Sequence, residues 1–235
     1  MIVLGFDTAT PATAVALLDG AAPEAAAERH HVPAPGERPG HAAQLLALAA
    51  ELLGERGLTF AGVDRIAVGL GPGTFTGLRI GVATARALSQ ATGAELVGVS
   101  TLRALAAAAA PAAPPGAGVL AVIDARRGEV FAAGWRGGQP VIEQVVLAPT
   151  GLAQLVAAEG GAWVAVGDGA LRFREDLERA GCTVPEDGSE WHGVKARAVC
   201  RLALEAQEAT ARDLVVPDYL RPPDAVLASR QKPIA

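Results

Sequence analysis

The sequence predicts an α/β fold built twice, each time from a mixed sheet that opens on a hairpin and carries helices. The first observation is a short, wholly apolar run that ends on aspartate and occurs twice, at residues 2–6 before Asp7 and at 119–123 before Asp124. The second lies just beyond each run: residues 13–18 and 129–135 alternate back as strands, so each run starts a hairpin. The third is an echo further on, where Val164-Ala165-Val166-Gly167-Asp168-Gly169 repeats the pattern of Ile66-Ala67-Val68-Gly69-Leu70-Gly71. Two landmarks recurring in the same order imply one topology used twice.

Composition narrows the classes. The chain has 235 residues, enough for one large core or two smaller ones. Its apolar fraction of 51% is inflated by alanine, and aromatics make up only 4%, so small residues packed closely are expected. Acidic side chains number 25 against 20 basic ones, a formal net charge of -5. No Lys/Arg run or aromatic cluster appears, which argues against a free-standing RNA- or DNA-binding module. The first residues carry neither a basic segment nor a long apolar one, so no secretory signal is expected. No uncharged apolar run approaches the ~20 residues of a membrane span. Cys182 and Cys200 are too few for a disulfide framework and read as buried thiols, so the expected location is the cytoplasm.

In chain order, the 2–6 strand, a turn at Thr8-Ala9-Thr10-Pro11 and the 13–18 strand form the first hairpin. Residues 21–32 are rich in alanine, which favours helix, but their place after Asp19-Gly20 favours a third strand, and strand is the expectation. Residues 33–40 read as loop. A helix is expected over 41–54. Leu45, Leu46, Leu48, Leu52 and Leu53 cover one arc of its wheel, and Ala43, Ala47, Ala50 and Gly54 form a second, small-residue seam. One apolar face is usual for a surface helix; two ask for a sheet on one side and another helix on the other. A second helix over 76–90 repeats the theme with Gly77, Gly81 and Ala85 at four-residue steps, a spacing that lets helix axes approach. These seams either pack inside the chain or face a partner.

Glu95–Val99 reads as a strand, and Ser100-Thr101 caps a helix running through Ala110. The run Pro111, Pro114, Pro115, Gly116, Gly118 then marks a division into lobes 1–110 and 111–235, with a C-terminal tail that can return to the first lobe. The second half is expected to add a strand over 141–147, a helix over 151–159, a strand over 164–166, a helix over 171–180, and a last helix over 194–211 before an extended tail over 215–223.

The stretch from Arg65 to Arg79 joins a strand to a helix through Gly71-Pro72-Gly73. Gly71 and Gly73 allow angles closed to other residues and let a ligand or another chain come close. Thr74 or Thr76 can cap the helix, and free N–H groups at its start suit a phosphate. This is no Walker A loop: the two lysines, Lys195 and Lys232, lie far from it. Asp7, Thr8, Thr10, Gly71, Gly73 and Thr74 are therefore the candidate phosphate or nucleotide contacts, the alternative being that Asp7 and Asp124 cap their own turns. For Asp124, beside Arg126, Arg127 and Glu129, the turn is favoured. His30, His31, His41 and His192 show no helical metal pair and no H-E-x-x-H, so no metal site is expected. His41 reads as a capping or surface residue. No nucleophile elbow or Cys/His arrangement stands out, and no catalytic residue is assigned.

Five motifs carry a resemblance. They are Gly5-Phe6-Asp7-Thr8-Ala9-Thr10, the run from Gly71-Pro72-Gly73-Thr74-Phe75-Thr76-Gly77 to Gly81, Gly98-Val99-Ser100-Thr101-Leu102, Ile123-Asp124-Ala125-Arg126-Arg127-Gly128-Glu129-Val130, and Pro217-Asp218-Tyr219-Leu220-Arg221. Together they resemble the TsaB (YeaZ) family over nearly the whole chain, more weakly at 21–39 and 148–190. The resemblance implies the two-lobed actin-like ATPase (ASKHA, ribonuclease H-like) fold. It implies a non-catalytic subunit of the bacterial machinery that makes N6-threonylcarbamoyladenosine in tRNAs reading codons that begin with A. It further implies dimerisation with the catalytic paralogue TsaD, TsaE as the ATPase, contact with tRNA only through the complex, and a homodimer in isolation. No cofactor of its own is implied, with ATP or ADP and Mg at the junction with the catalytic subunit. In the family the first two helices form the subunit bundle, which places the partner interface at His41, Ala43, Leu45, Ala47, Leu48 and Leu52 with Gly77, Gly81 and Ala85. The competing expectation is a small nucleotide-dependent kinase or ATPase of the same fold, with Asp7, Thr8 and Thr10 around the phosphates. A metalloprotease is disfavoured because no metal-ligand pair is visible.

Overall fold

The computed structural model describes residues 1–34 and 36–221. Among them are two five-stranded mixed sheets. The first contains β1 (Ile2–Asp7), β2 (Thr13–Asp19), β3 (Ala27–His31), β4 (Arg65–Gly69) and β5 (Glu95–Val99), ordered β3-β2-β1-β4-β5. The helices between its strands are α1 (His41–Glu55) and α2 (Phe75–Thr92), and α3 (Thr101–Ala109) follows β5. The second sheet contains β6 (Gly118–Arg126), β7 (Glu129–Arg136), β8 (Gln139–Leu147), β9 (Trp163–Val166) and β10 (Cys182–Thr183), ordered β10-β9-β6-β7-β8. The later helices are α4 (Pro149–Glu159), α5 (Asp168–Arg172), α6 (Arg174–Arg179) and α7 (Ala196–Glu205). Taken from the hairpin edge, the two orders are the same, so the duplication expected from the repeated landmarks is real.

Each sheet is covered on both faces, which is why β1, β4 and β6 are apolar without alternation. On the first sheet Leu4, Phe6, Val15, Ile66 and Val68 face α1 and α2, and Val3, Ala14, Ala16, Ala67 and Val97 face α7. On the second, Leu120, Val122, Val130 and Trp163 pack with Leu152, Val156 and Leu177 of α4 and α6. Val119, Ala121, Ile123 and Phe131 pack with Leu102, Leu105 and Ala109 of α3. The result is five layers: helices, sheet, the pair α3 and α7, sheet, helices.

The strands of the two sheets fall on either side of residue 110, while the helices that cover them cross it. α3, which follows the first sheet in sequence, seals the second; α7, which follows the second, seals the first. Arg65 holds α7 there. Its buried guanidinium donates to the carbonyls of Ala203 (2.6 Å) and Ala206 (3.1 Å) and pairs with Glu95 at 2.6 Å, placing a cation at the negative end of the helix. This clamp also corrects the last helix, expected over 194–211. It stops at Glu205, Ala206 is extended, and the chain then meets β5 through Thr210 N donating to Leu96 O at 2.7 Å.

Other expectations need smaller changes. The segment 21–32 is a strand only from Ala27, after a short 3-10 turn at Pro23–Ala25. The helix expected over 171–180 is two, because Phe173 turns onto the core and leaves helical angles (φ -115°, ψ 33°). β10 lies beyond sequence reading, since two residues carry no periodicity. Ser100 caps α3 as expected, its hydroxyl accepting from Arg103 N at 3.3 Å. Both cysteines are buried free thiols, and burial pushes Cys182 up to about 11. Pro222 and Pro223 of the expected tail lie outside the described residues.

Replacing Arg65 with Met would leave two helix-end carbonyls without their donor. A loss of about 2–3 kcal/mol in urea unfolding is expected, with unchanged helix content by circular dichroism below the transition.

Candidate functional site

The first strand ends where β4, its glycine turn and α3 converge. Asp7, 1% exposed, accepts from Ala9 N (2.8 Å) and from the Thr101 hydroxyl (2.7 Å). Thr101 Oγ1 in turn accepts from Gly71 N at 3.1 Å, and Thr101 N donates to Gly71 O at 2.8 Å. Gly69 is required because a side chain there would overlap the Asp7 carboxylate. Thr8 is equally committed: its hydroxyl donates to Gly77 O at 2.7 Å, and side chains at Gly77 or Gly81 would strike Thr8. Burial raises the pKa of Asp7 above the usual carboxylate value, against the lowering effect of the Thr101 and Ala9 hydrogen bonds.

This arrangement commits four of the six candidate phosphate contacts to bonds within the chain. Of the expected contacts, Asp7 and Thr8 are buried and bonded internally, Gly71 N is spent on Thr101, and Thr74 N is spent on Ala9 O at 2.7 Å. Gly71 does take a left-handed backbone (φ 102°), but Gly73 is there so that Ala9 can approach. Thr74 occupies the cap position of α2 without a capping bond from its hydroxyl, and Thr76 lies inside the helix. Thr10 sits half-buried at the turn. Two backbone donors of this turn and the Thr8 hydroxyl are thus committed to the protein itself.

At the matching end of the second sheet Asp124 serves its own turn, as favoured. Its Oδ1 accepts from Arg126 N (2.9 Å), and its Oδ2 pairs with Arg126 (3.0 Å) and Arg172 (2.7 Å). Arg126 and Arg127 both take left-handed angles (φ 64° and 55°), held there by this turn. Asp168 Oδ1 accepts from Asp124 N at 3.0 Å, and burial raises its pKa. Sequence reasoning misses Asp168 and Arg172; the Gly167-Asp168-Gly169 echo marks the place, but not that its carboxylate braces the neighbouring strand. Among the described residues no group of three or more His, Cys, Asp and Glu side chains gathers as a metal-ligand set.

The helix seams divide between the two outcomes left open. Leu45, Leu52, Gly77, Gly81 and Ala85 are buried within this chain's own first layer, and Leu48 packs against it half-buried. Gly77 and Gly81 are small because Thr8 and the sheet lie under them. His41 is buried too, its Nδ1 2.8 Å from the Thr13 hydroxyl, with burial first and His31 second lowering its pKa. These buried positions cannot present a side chain to a partner. Ala43 and Ala47 do lie outside, and with Ala50, Gly54 and Leu46 (44% exposed) they form an open small-residue face on α1. Arg79, Ala83, Arg86 and Ala87 are among the exposed positions of α2.

Two sheets of equal strand order with their covering helices exchanged define the two-lobed actin-like class that includes sugar kinases. The ROK hexokinase from Thermus thermophilus shares this fold, with TM-score 0.54 at 18% identity over 87% of this chain and all of that one. A YeaZ-like protein from Pseudomonas aeruginosa matches more fully, with TM-score 0.77 and 30% identity over 94% of this chain and 99% of that chain. The family model for TsaD, tRNA N6-adenosine threonylcarbamoyltransferase, matches residues 8–149. The tRNA threonylcarbamoyladenosine biosynthesis protein TsaB of Escherichia coli is 34% identical over 194 residues, 80% of each chain. This chain belongs to the TsaB (YeaZ) family.

The burial of Asp7 predicts a pH signature. Its folded-state pKa lies above the unfolded 3.8, so its stabilising contribution is full in acid and is lost as pH rises from 3.8 through the folded value. Relative to wild type, Asp7→Asn should therefore gain stability between pH 4 and pH 7 in urea titrations. A difference that stays flat across that range would contradict the buried ionisable carboxyl.

Proposed function

We propose that this chain is a non-catalytic scaffold and activator in the formation of N6-threonylcarbamoyladenosine in tRNAs that read codons beginning with A. In this reading it docks on its catalytic paralogue TsaD through the outer face of α1 and the exposed side of α2. One observation carries it. The carboxylate and hydroxyl at the end of the first strand are spent on internal bonds, while the adjoining helix keeps an uncovered face of Ala43, Leu46, Ala47, Ala50 and Gly54. A fold of the kinase class that has turned its phosphate-side groups inward and left a small-residue helix face open is suited to hold a partner. Small residues let a second helix approach closely and bury apolar area without side-chain entropy loss. TsaE joins as the ATPase, tRNA is reached through the assembled complex, and any Mg-ATP or Mg-ADP at the subunit junction is held by the partner's residues. In isolation the same face pairs with a second copy of this chain. The closed first turn also disfavours a kinase or ATPase acting alone.

Ala47→Arg should lower TsaD affinity at least tenfold in calorimetry and abolish tRNA modification in the reconstituted system, with the melting temperature unchanged within a few degrees. Gly81→Val should instead lower stability by about 2–4 kcal/mol, because the new methyls meet Thr8 inside the chain. Survival of TsaD binding in Ala47→Arg would move the interface elsewhere; turnover of Mg-ATP by the isolated chain would contradict the scaffold.

A further inference from the structure

After α7 the chain returns along the first lobe, where Val215 is fully buried in the same cluster as Leu45, Leu52 and Val82. From there its contacts change lobe almost residue by residue. Asp218 N donates to Leu70 O (2.7 Å) in the first lobe, while the Asp218 carboxylate accepts from Gln144 of β8 (2.6 Å) in the second. Tyr219 returns to the first lobe: its ring lies 5.2 Å from that of Phe75, and its hydroxyl accepts from Arg79 Nε at 3.1 Å. Leu220 packs against the second-sheet cluster, and Arg221 pairs with Glu129 of β7 at 2.8 Å. A single segment laid between two lobes grips both.

The first-lobe grip lands on the outer side of α2. Arg79 lies over the Phe75 ring, its guanidinium carbon 3.9 Å from the centroid, and also donates to Tyr219. Arg79, Phe75 and Tyr219 thus form one stack whose last member belongs to the tail, and whose first is exposed beside Ala83 and Arg86.

We infer that residues 215–221 are a clasp that couples the two lobes to the partner face. While Gln144 and Glu129 hold the tail from the second lobe, Tyr219 is seated on Phe75 and Arg79 is fixed in the geometry the partner meets. When the second lobe lets go, Tyr219 lifts, Arg79 loses its acceptor, and docking weakens. This inference rests on the proposed docking to TsaD and adds its regulation: the partner senses how the lobes are arranged. Coupling of this kind is commonly worth about 5–150-fold in affinity.

The test uses the full chain with Gln144→Ala and Glu129→Ala combined, both on the second sheet and outside α1 and α2. Amide hydrogen exchange should speed up at 218–221 and at the first turn of α2, and affinity for TsaD in calorimetry should fall about tenfold, with circular dichroism unchanged. Restoring the ion pair in reverse, Glu129→Arg with Arg221→Glu on an otherwise wild-type chain, should keep both protection and affinity. Faster exchange with undiminished affinity overturns the coupling, as does exchange that does not change at all. A wild-type chain that does not bind TsaD overturns the docking reading and the coupling with it, whereas an Ala47→Arg defect with normal binding by the double variant overturns the clasp alone.

Discussion

The fold turns on one hydrogen bond, from the Thr101 hydroxyl to the Asp7 carboxylate. It ties the last residue of the first strand to the first residue of α3, across most of the first lobe in sequence. Gly69 must lack a side chain for the carboxylate to fit, and Gly71 closes the circuit by donating to Thr101. A buried carboxylate is costly unless bonded, so the pocket is built around it from three chain segments. Thr8 repeats the arrangement one residue on, seating α2 on the sheet through Gly77 and Gly81. The chemistry of the site is a consequence. The Asp7 and Thr8 side chains are absorbed into the joint that positions α2 and α3.

Anchored at that joint, α3 packs Leu102, Leu105 and Ala109 on the second sheet and turns Ala104 toward the first-sheet cluster. Most of the first sheet's inner face is covered by α7, which Arg65 fastens by its carbonyl end. The exchange makes the two lobes mutually dependent: each supplies the other's covering helix, so neither core is complete alone. The tail extends the same logic, with one segment gripping β7 and β8 on one side and α2 on the other. A protein whose lobes share helices and a clasp is well placed to report its internal arrangement on an outer face.

Much of this is legible in the chain itself. The repeated strand-then-aspartate pattern, the hairpin returns and the glycine echo foretell two sheets of equal order, and their hairpin strands appear with boundaries shifted by no more than three residues. The Asp124 turn follows from its arginine neighbours. The seams are visible but only partly assignable: periodicity distinguishes the arcs of α1 and α2 without saying which arc meets the sheet. Gly77, Gly81 and Ala85 look the same on a helical wheel whether Thr8 or a foreign helix lies beneath them. His41 is likewise legible as a helix start and illegible as a buried partner of Thr13.

The sequence alone determined nine of the ten strands in place if not in bounds, the duplication and the family motifs, because these are local patterns of burial and turn chemistry that survive any arrangement of the pieces; β10 is too short to carry one. Tertiary structure decided which donors were free. Whether the Asp7 and Thr8 side chains face a ligand or the protein depends on Thr101 and Gly77, distant residues that only the folded chain brings within hydrogen-bond reach. It also decided where α3, α7 and the tail would lie, since an apolar helix fits either sheet equally well and only the anchors at Thr101, Arg65 and Asp218 break the tie.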